Sequence, residues 1–205
     1  MIDSINTFDV NILLTLMEVR NGFCDAFFLF ITHLGDGGAF WIALSVLLMC
    51  FKKTRSTGIL CAFALVGSVV VNNAILKNVV ARPRPFNFDE RVICLLKDAK
   101  ETVKDWSFPS GHTGSSFAAG TVIFLREKKR FGIPAVILAA LIAFSRLYVA
   151  VHYPTDVFAA IITGVIIAVV CHSVGKQYDF SKFLPKKIEV EEAGKASKKS
   201  DKKEK

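Results

Sequence analysis

Five apolar stretches, at 37–51, 57–76, 111–127, 132–150 and 155–175, reach or approach the about twenty residues a helix needs to cross a bilayer once flanking turns are counted. Together they take up nearly half of the 205-residue chain. With 52% of its residues hydrophobic, the chain carries more apolar surface than one soluble domain of this size can bury. A disordered chain and a disulfide-stapled secreted module are excluded on the same ground. Eighteen phenylalanines against three tyrosines and two tryptophans suit a lipid-facing surface, where an aromatic body needs no hydrogen-bond partner. The segment 10–34 holds Phe27, Phe28, Leu29, Phe30 and Ile31, but also Glu18, Arg20, Asn21 and Asp25. It reads as a sixth span broken near Asn21-Gly22, with an interfacial helix followed by a short buried one as the alternative. Gly35-Asp36-Gly37-Gly38 reads as the tight turn that follows. The expected fold is all-α, an integral membrane bundle of about six transmembrane helices over residues 1–175, followed by a lysine-rich tail at 176–205.

The position of the basic residues sets the orientation. The net charge is +8, and the tail, with ten lysines against six acidic residues, contributes +4 of it. Lys52, Lys53 and Arg55 lie between two spans, and Arg126, Lys128, Lys129 and Arg130 lie between two others. In an up-and-down bundle these turns and the tail share one side, which the positive-inside rule makes cytoplasmic. No basic helix with interleaved aromatics is present, so nucleic acid is not an expected partner. Of five cysteines, Cys24, Cys50, Cys61 and Cys171 sit in or beside apolar stretches and Cys94 in a polar loop. The odd count without CxxC spacing gives neither a disulfide framework nor a zinc site, and the thiols are expected to be buried small hydrophobes. Met1-Ile2-Asp3 opens without a basic n-region, so no removable signal peptide is expected.

Polar residues gather at the opposite span ends. Lys77, Arg82 and Arg84 follow the 57–76 stretch, and Ser110 and His112 precede the next. Arg146 ends the following one, while His152 and Asp156 bracket the last turnaround. Bringing cations, imidazoles and a carboxylate to one depth of a membrane is costly unless they are used. Ser110 is a natural N-cap, and Gly111 permits close backbone approach, so the free N–H groups of that helix point at an anion. Pro154 opens the last helix in the same way and sets His152 just before it. Lys77, Arg84 and Arg146 complete a phosphate site, arginine's planar fork suiting oxyanions best.

Lys77-x6-Arg84-Pro85, Pro109-Ser110-Gly111-His112 and Ser145-Arg146-x5-His152-x3-Asp156, in that order, resemble the full three-part signature of the type 2 phosphatidic acid phosphatase (PAP2) superfamily. Arg82-Pro83 doubles the Arg-Pro pair, and its second member fits the spacing. The resemblance implies a six-helix membrane phosphatase that needs neither metal nor cofactor. His152 would attack phosphorus and form a phosphohistidine, and Asp156 would orient its imidazole. His112 would protonate the leaving oxygen and then activate water. Lys77, Arg84, Ser110, the Gly111 N–H and Arg146 would hold the phosphate oxygens. An imidazole attacks only from an unprotonated nitrogen, and a carboxylate on the other nitrogen fixes that tautomer. The implied substrate is a lipid phosphate or diphosphate, undecaprenyl diphosphate first and phosphatidylglycerophosphate or phosphatidate next. Its chain would stay in the bilayer while the headgroup enters from the extracytoplasmic face of the plasma membrane. A non-hydrolytic anion transporter or binding protein is the alternative of a different class. Transfer of the phosphoryl group to an acceptor lipid, or haloperoxidase chemistry on vanadate, is a third.

The other polar residues are given plainer roles. His33 and His172 read as helix-packing or span-end residues, and Asp36 as a turn residue. Asn72 and Asn73 read as interhelical hydrogen-bonding groups, with support of Lys77 from behind as the lesser reading. Trp41 and Trp106 fit the membrane interface belt, Trp106 close enough to the second motif segment to line the mouth of the site. Asp89, Glu90, Asp98, Glu101 and Asp105 read as solvating the 81–110 loop, whose length suggests a lid or headgroup cover.

Overall fold

The protein is described by a computed structural model over residues 2–177, and the described residues are helical throughout their ordered elements. Helix α1 (Ile2–Glu18) buries Asn6, Asp9, Val10 and Leu13, an i, i+3, i+4, i+7 stripe, while Ile5 and Phe8 face outward. The chain breaks at 19–21. There Asn21 caps helix α2 (Gly22–Leu34), its side-chain oxygen accepting a 3.0 Å bond from the Cys24 N–H. The segment 10–34 is therefore two helices and not one span. Instead, α2 pairs with α3 (Ala39–Cys50) across the Asp36–Gly38 turn, the two axes bent by 45°. Gly37 and Gly38 have φ of 57° and 68°, left-handed values that only glycine adopts without strain.

Helix α4 (Arg55–Ser68) continues through a π-helical stretch, Val69–Leu76, into α5 (Lys77–Val80). Within that stretch Asn72 is fully buried. It donates to the Ser68 hydroxyl at 3.0 Å and accepts from Thr163 at 2.8 Å, the interhelical role read from the sequence. Short helices α6 (Pro85–Phe88) and α7 (Ala99–Thr102) lie in the 81–110 segment. Helix α8 (Gly111–Tyr148) is helical at every residue but doubles back on itself. Residues 120 and 135 would stand about 22 Å apart in a straight helix, yet a Cβ on Gly120 would meet the Ala135 carbonyl at 3.2 Å. The stretches 111–127 and 132–150 are thus antiparallel neighbours, as their patterns predict. Helix α9 (Pro154–Gln177) closes the bundle.

Arg55–Phe88, Arg130–Tyr148 and Pro154–Gln177 are each long and apolar enough to cross a bilayer, and the bent α2–α3 pair makes a fourth candidate. The first half of α8 reads as weakly apolar because it is central. Its Thr113, Ser116, Ala118, Ala119 and Val122 are fully buried between helices. Packing there relies on small residues that let backbones approach, as expected where lipid supplies no hydrophobic drive between helices. A Cβ on Gly164 of α9 would lie 2.7 Å from the Gly114 carbonyl. Phe8, Phe23, Phe30, Phe63 and Phe158 face outward, the lipid-facing surface inferred from composition. Trp41 corrects the interface-belt expectation. It is buried, and its indole N–H donates to Ser116 at 2.9 Å, since a buried indole needs an acceptor. All five thiols are free; Cys61 is buried as expected, whereas Cys50 is exposed.

The basic turns share one end of the bundle. Arg126 donates to Ser56 at 3.0 Å, Thr57 to Glu127 at 2.6 Å, and Gly175 at the end of α9 abuts Leu60. The lysine-rich tail falls, from residue 178 on, outside the described residues. Replacing Gly164 with Leu is expected to separate α8 from α9 at a cost of about 1–3 kcal/mol. A lowered unfolding temperature in detergent checks this; an unchanged one would mean the helices do not depend on that close approach.

Candidate active site

Lys77, Arg84, Gly111, His112, Arg146 and His152 line one cavity of about 740 Å3 at the end of the bundle away from the basic turns. The convergence expected from the sequence is present. Ser110 and Asp156 stand behind the cavity wall. Ser110 caps α8, its hydroxyl accepting from the Thr113 N–H at 3.4 Å and the Thr113 hydroxyl at 2.9 Å. Gly111 meets the side chain of Asn73, whose oxygen a Cβ would approach to 2.9 Å.

The protonation of His152 follows from its neighbours. One Arg84 nitrogen donates to the Val151 carbonyl at 2.8 Å and lies 3.0 Å from His152 Nε2. Arginine has no acceptor, so Nε2 presents a lone pair and the ring proton sits on Nδ1. Nδ1 faces Asp156 Oδ2 at 3.5 Å, a contact longer than a good hydrogen bond. Burial pushes the His152 pKa well below its ordinary value, and the charges of Arg84, Arg146 and Lys77 push it further. The imidazole is therefore neutral, with its free nitrogen beside the cations.

Asp156 has firmer partners than His152. Its Oδ1 accepts from Arg82 at 2.5 Å, and its Oδ2 accepts from the Ser107 hydroxyl and, at 3.0 Å, from the Tyr153 N–H. Arg82 turns away from the cavity. Its guanidinium lies 3.7 Å over the Tyr153 ring and donates to Asn6, to Asp9 at 2.7 Å and to Thr155 at 2.7 Å. The doubled Arg-Pro thus divides its labour, Arg84 facing the cavity and Arg82 the buried network. One consequence corrects the two-helix expectation. The start of α9 is turned into this network, and of the two helix N-termini only that of α8 opens on the cavity.

Four residues assigned plainer roles line the cavity: His33, Asp36, Asn73 and Asp105. Asp36 Oδ1 accepts from His112 Nε2 at 2.8 Å, while its Oδ2 lies 2.8 Å from His33 Nδ1, so neither Asp36 nor His33 is a bystander. Asp105 bridges Lys77 and Arg84. It accepts from the Lys77 ammonium and, at 2.6 Å, from Arg84 Nη2. Partial burial works to raise the Asp105 carboxyl, but its bond to Lys77 and the charge of Arg84 outweigh this and hold it at about 2. An incoming phosphate would compete with this carboxylate for the same donors. Arg146 donates to Thr32, and its buried Nε has no protein partner. Among the described residues no three His, Cys, Asp or Glu side chains form a metal-holding group. The 81–110 segment is folded over the site. Phe86, Leu95, Leu96 and Val103 pack with Val149 and Val151, and the Ser107 N–H donates to the Arg82 carbonyl at 2.8 Å. Trp106 is 45% exposed and is not among the residues that line the cavity.

Residues 56–178 match the family model described as the PAP2 superfamily. The chain belongs to the PAP2 superfamily. Its PAP2 relatives include a protein of Sulfolobus acidocaldarius named undecaprenyl-diphosphatase, 37% identical over 60% of this chain and 58% of the relative. That match spans just over half of the relative's length. Undecaprenyl-diphosphatase BcrC of Bacillus subtilis is 31% identical over 72% of this chain and 73% of its own. The crystal structure of a transmembrane PAP2 type phosphatidylglycerolphosphate phosphatase from Bacillus subtilis has the same fold. Its TM-score is 0.70 at 22% identity, covering 88% of this chain and 90% of that one. The apolar spans and this shared fold make the PAP2 chain described here a multi-pass membrane protein. Nitrogen-15 NMR of histidine-labelled protein should show the His152 ring as the neutral Nδ1–H tautomer, unchanged as pH falls through about 6.5, the ordinary histidine value. Titration of that ring near 6.5 would contradict the assignment.

Proposed function

We propose that the chain hydrolyses a lipid phosphate or diphosphate through a phosphohistidine on His152, without a metal ion. The observation that carries this reading is the Nε2 lone pair of a buried neutral His152, set 3.0 Å from Arg84 in a cavity shared with Lys77, His112 and Arg146. A pocket that only captured anions would need the cations but no oriented, unprotonated imidazole. In the first step Nε2 attacks phosphorus and the bond to the leaving oxygen breaks, its electron pair staying on that oxygen. His112, as imidazolium, supplies the proton from Nδ1. In the second step water attacks phosphorus and gives its proton back to His112, and the P–N bond breaks to regenerate neutral His152.

Lys77, Arg84, Arg146 and the α8 N-terminus at Gly111 are aimed at the charge that grows on the non-bridging oxygens. Ser110 serves by capping that helix, its hydroxyl accepting from the Thr113 N–H. Asp156 keeps the proton on His152 Nδ1 through its 3.5 Å contact, while Arg82, Ser107 and Tyr153 hold the carboxylate still. Undecaprenyl diphosphate is the substrate of first choice because both relatives named above carry that activity in their names. The basic turns at the other end of the bundle favour an extracytoplasmic active site and a cytoplasmic tail.

His152→Ala is expected to lower phosphate release from undecaprenyl diphosphate by on the order of 10⁴-fold, as removal of a nucleophile does elsewhere. Wild-type turnover should persist in excess chelator. Unchanged release by the variant would reject His152 as nucleophile, and activity lost to chelator would reject the metal-free route.

A further inference from the structure

Resting on the acid–base role given to His112, we infer that Asp36 is the positioning residue that keeps His112 competent as an acid, with His33 holding Asp36 in place. The geometry starts from donor and acceptor chemistry. An ionised carboxylate only accepts, so the 2.8 Å contact between Asp36 Oδ1 and His112 Nε2 fixes a proton on Nε2. Nδ1 is left as the nitrogen that exchanges a proton with substrate.

The charge balance around the ring gives Asp36 its importance. The charged groups that line the same cavity are Lys77, Arg84, Lys97, Asp105 and Arg146, together with Asp36 itself. Asp105 is committed to Lys77 and Arg84. An imidazolium facing this many cations is unfavourable, and Asp36 supplies the carboxylate in direct contact with it. Without that charge an imidazolium at His112 would face these cations with no carboxylate in contact with it.

The turn that carries Asp36 is built against His112. A Cβ on Gly35 would stand 2.6 Å from His112 Cδ2, so only glycine lets the turn come this close. Gly37 and Gly38 then take the left-handed conformations that bring the chain round into α3. On the other side, Asp36 Oδ2 is in contact with His33 Nδ1, also at 2.8 Å, so each carboxylate oxygen has an imidazole partner. A carboxylate between two imidazoles, set in a turn whose glycines are each required, is more than a turn residue.

The test compares two substrates of equal carbon count. Dodecyl phosphate must lose an alkoxide and needs the proton, whereas 4-hexylphenyl phosphate loses a phenoxide and needs it far less. Asp36→Asn keeps an oxygen that can accept from Nε2 but removes the charge. It is expected to lower kcat on dodecyl phosphate about tenfold or more, with KM and the kcat on the aryl ester within about twofold. His112→Ala should show the same dependence on leaving group, more steeply. Equal loss on both substrates in Asp36→Asn, or no loss, would overturn the role of Asp36 while leaving His112 intact. Loss of the leaving-group dependence in His112→Ala would overturn the acid–base reading itself and Asp36 with it. Failure of the wild type to hydrolyse either ester would reject the lipid phosphatase reading. His33→Gln, at an exposed site, serves as a folded companion variant with a smaller loss of the same pattern, and an equal effect on both esters there would count against the proposal.

Discussion

Three cations held within one cavity of an apolar bundle repel one another, and the rest of the active-site end can be understood as the means of keeping them there. Lys77, Arg84 and Arg146 are each nearly inaccessible to solvent, and each is tied to fixed oxygen atoms. Arg84 is held by the Val151 carbonyl and by Asp105, Lys77 by Asp105, and Arg146 by Thr32. Donors fixed in advance need no reorganisation when negative charge develops on a phosphoryl group, which is where electrostatic catalysis gains most. Burial first, and then the same repulsion, keeps His152 neutral, while Asp36 is the carboxylate set against His112.

Around this centre the carboxylates divide into two kinds. Asp105 and Asp36 line the cavity and meet the cations and His112 directly. Asp9 and Asp156 lie behind it, sharing Arg82 in a buried network that ties α1, the 81–110 segment and the start of α9 together. Buried ion pairs of this sort add little net stability, but removing one partner leaves an uncompensated charge and is strongly destabilising. The network therefore reads as a fixture for the His152 turn. It also links an N-terminal helix outside the matched family segment to the start of α9, although that helix does not line the cavity.

Much of this was legible in the sequence and some was not, for definite reasons. The three motifs announced Lys77, Arg84, His112, Arg146 and His152 because their chemistry is costly at a membrane span end unless used. The five apolar stretches announced the helices, including the reversal inside α8, because Arg126 to Arg130 interrupt the apolar run. Asp36, His33 and Asp105 were hidden. Each sits in a turn or loop where a polar residue needs no explanation, and only the packing of α2 and the 81–110 segment over the cavity gives them partners. Trp41 was misplaced because an indole at a span end and an indole bonded to a facing helix look alike in one dimension. Arg82 and Arg84, two residues apart, could be told apart by spacing, but the burial of Arg82 against Asn6 and Asp9 depends on a helix more than seventy residues away in sequence.

The most direct measurement is rapid acid-free quenching of the enzyme during turnover of a radiolabelled lipid diphosphate, followed by peptide mapping of the bound label. The account predicts label on His152, stable in alkali and lost in acid, and absent from the variant in which that histidine is replaced. Label on any other side chain, or turnover without a labelled protein at any time point, would contradict it.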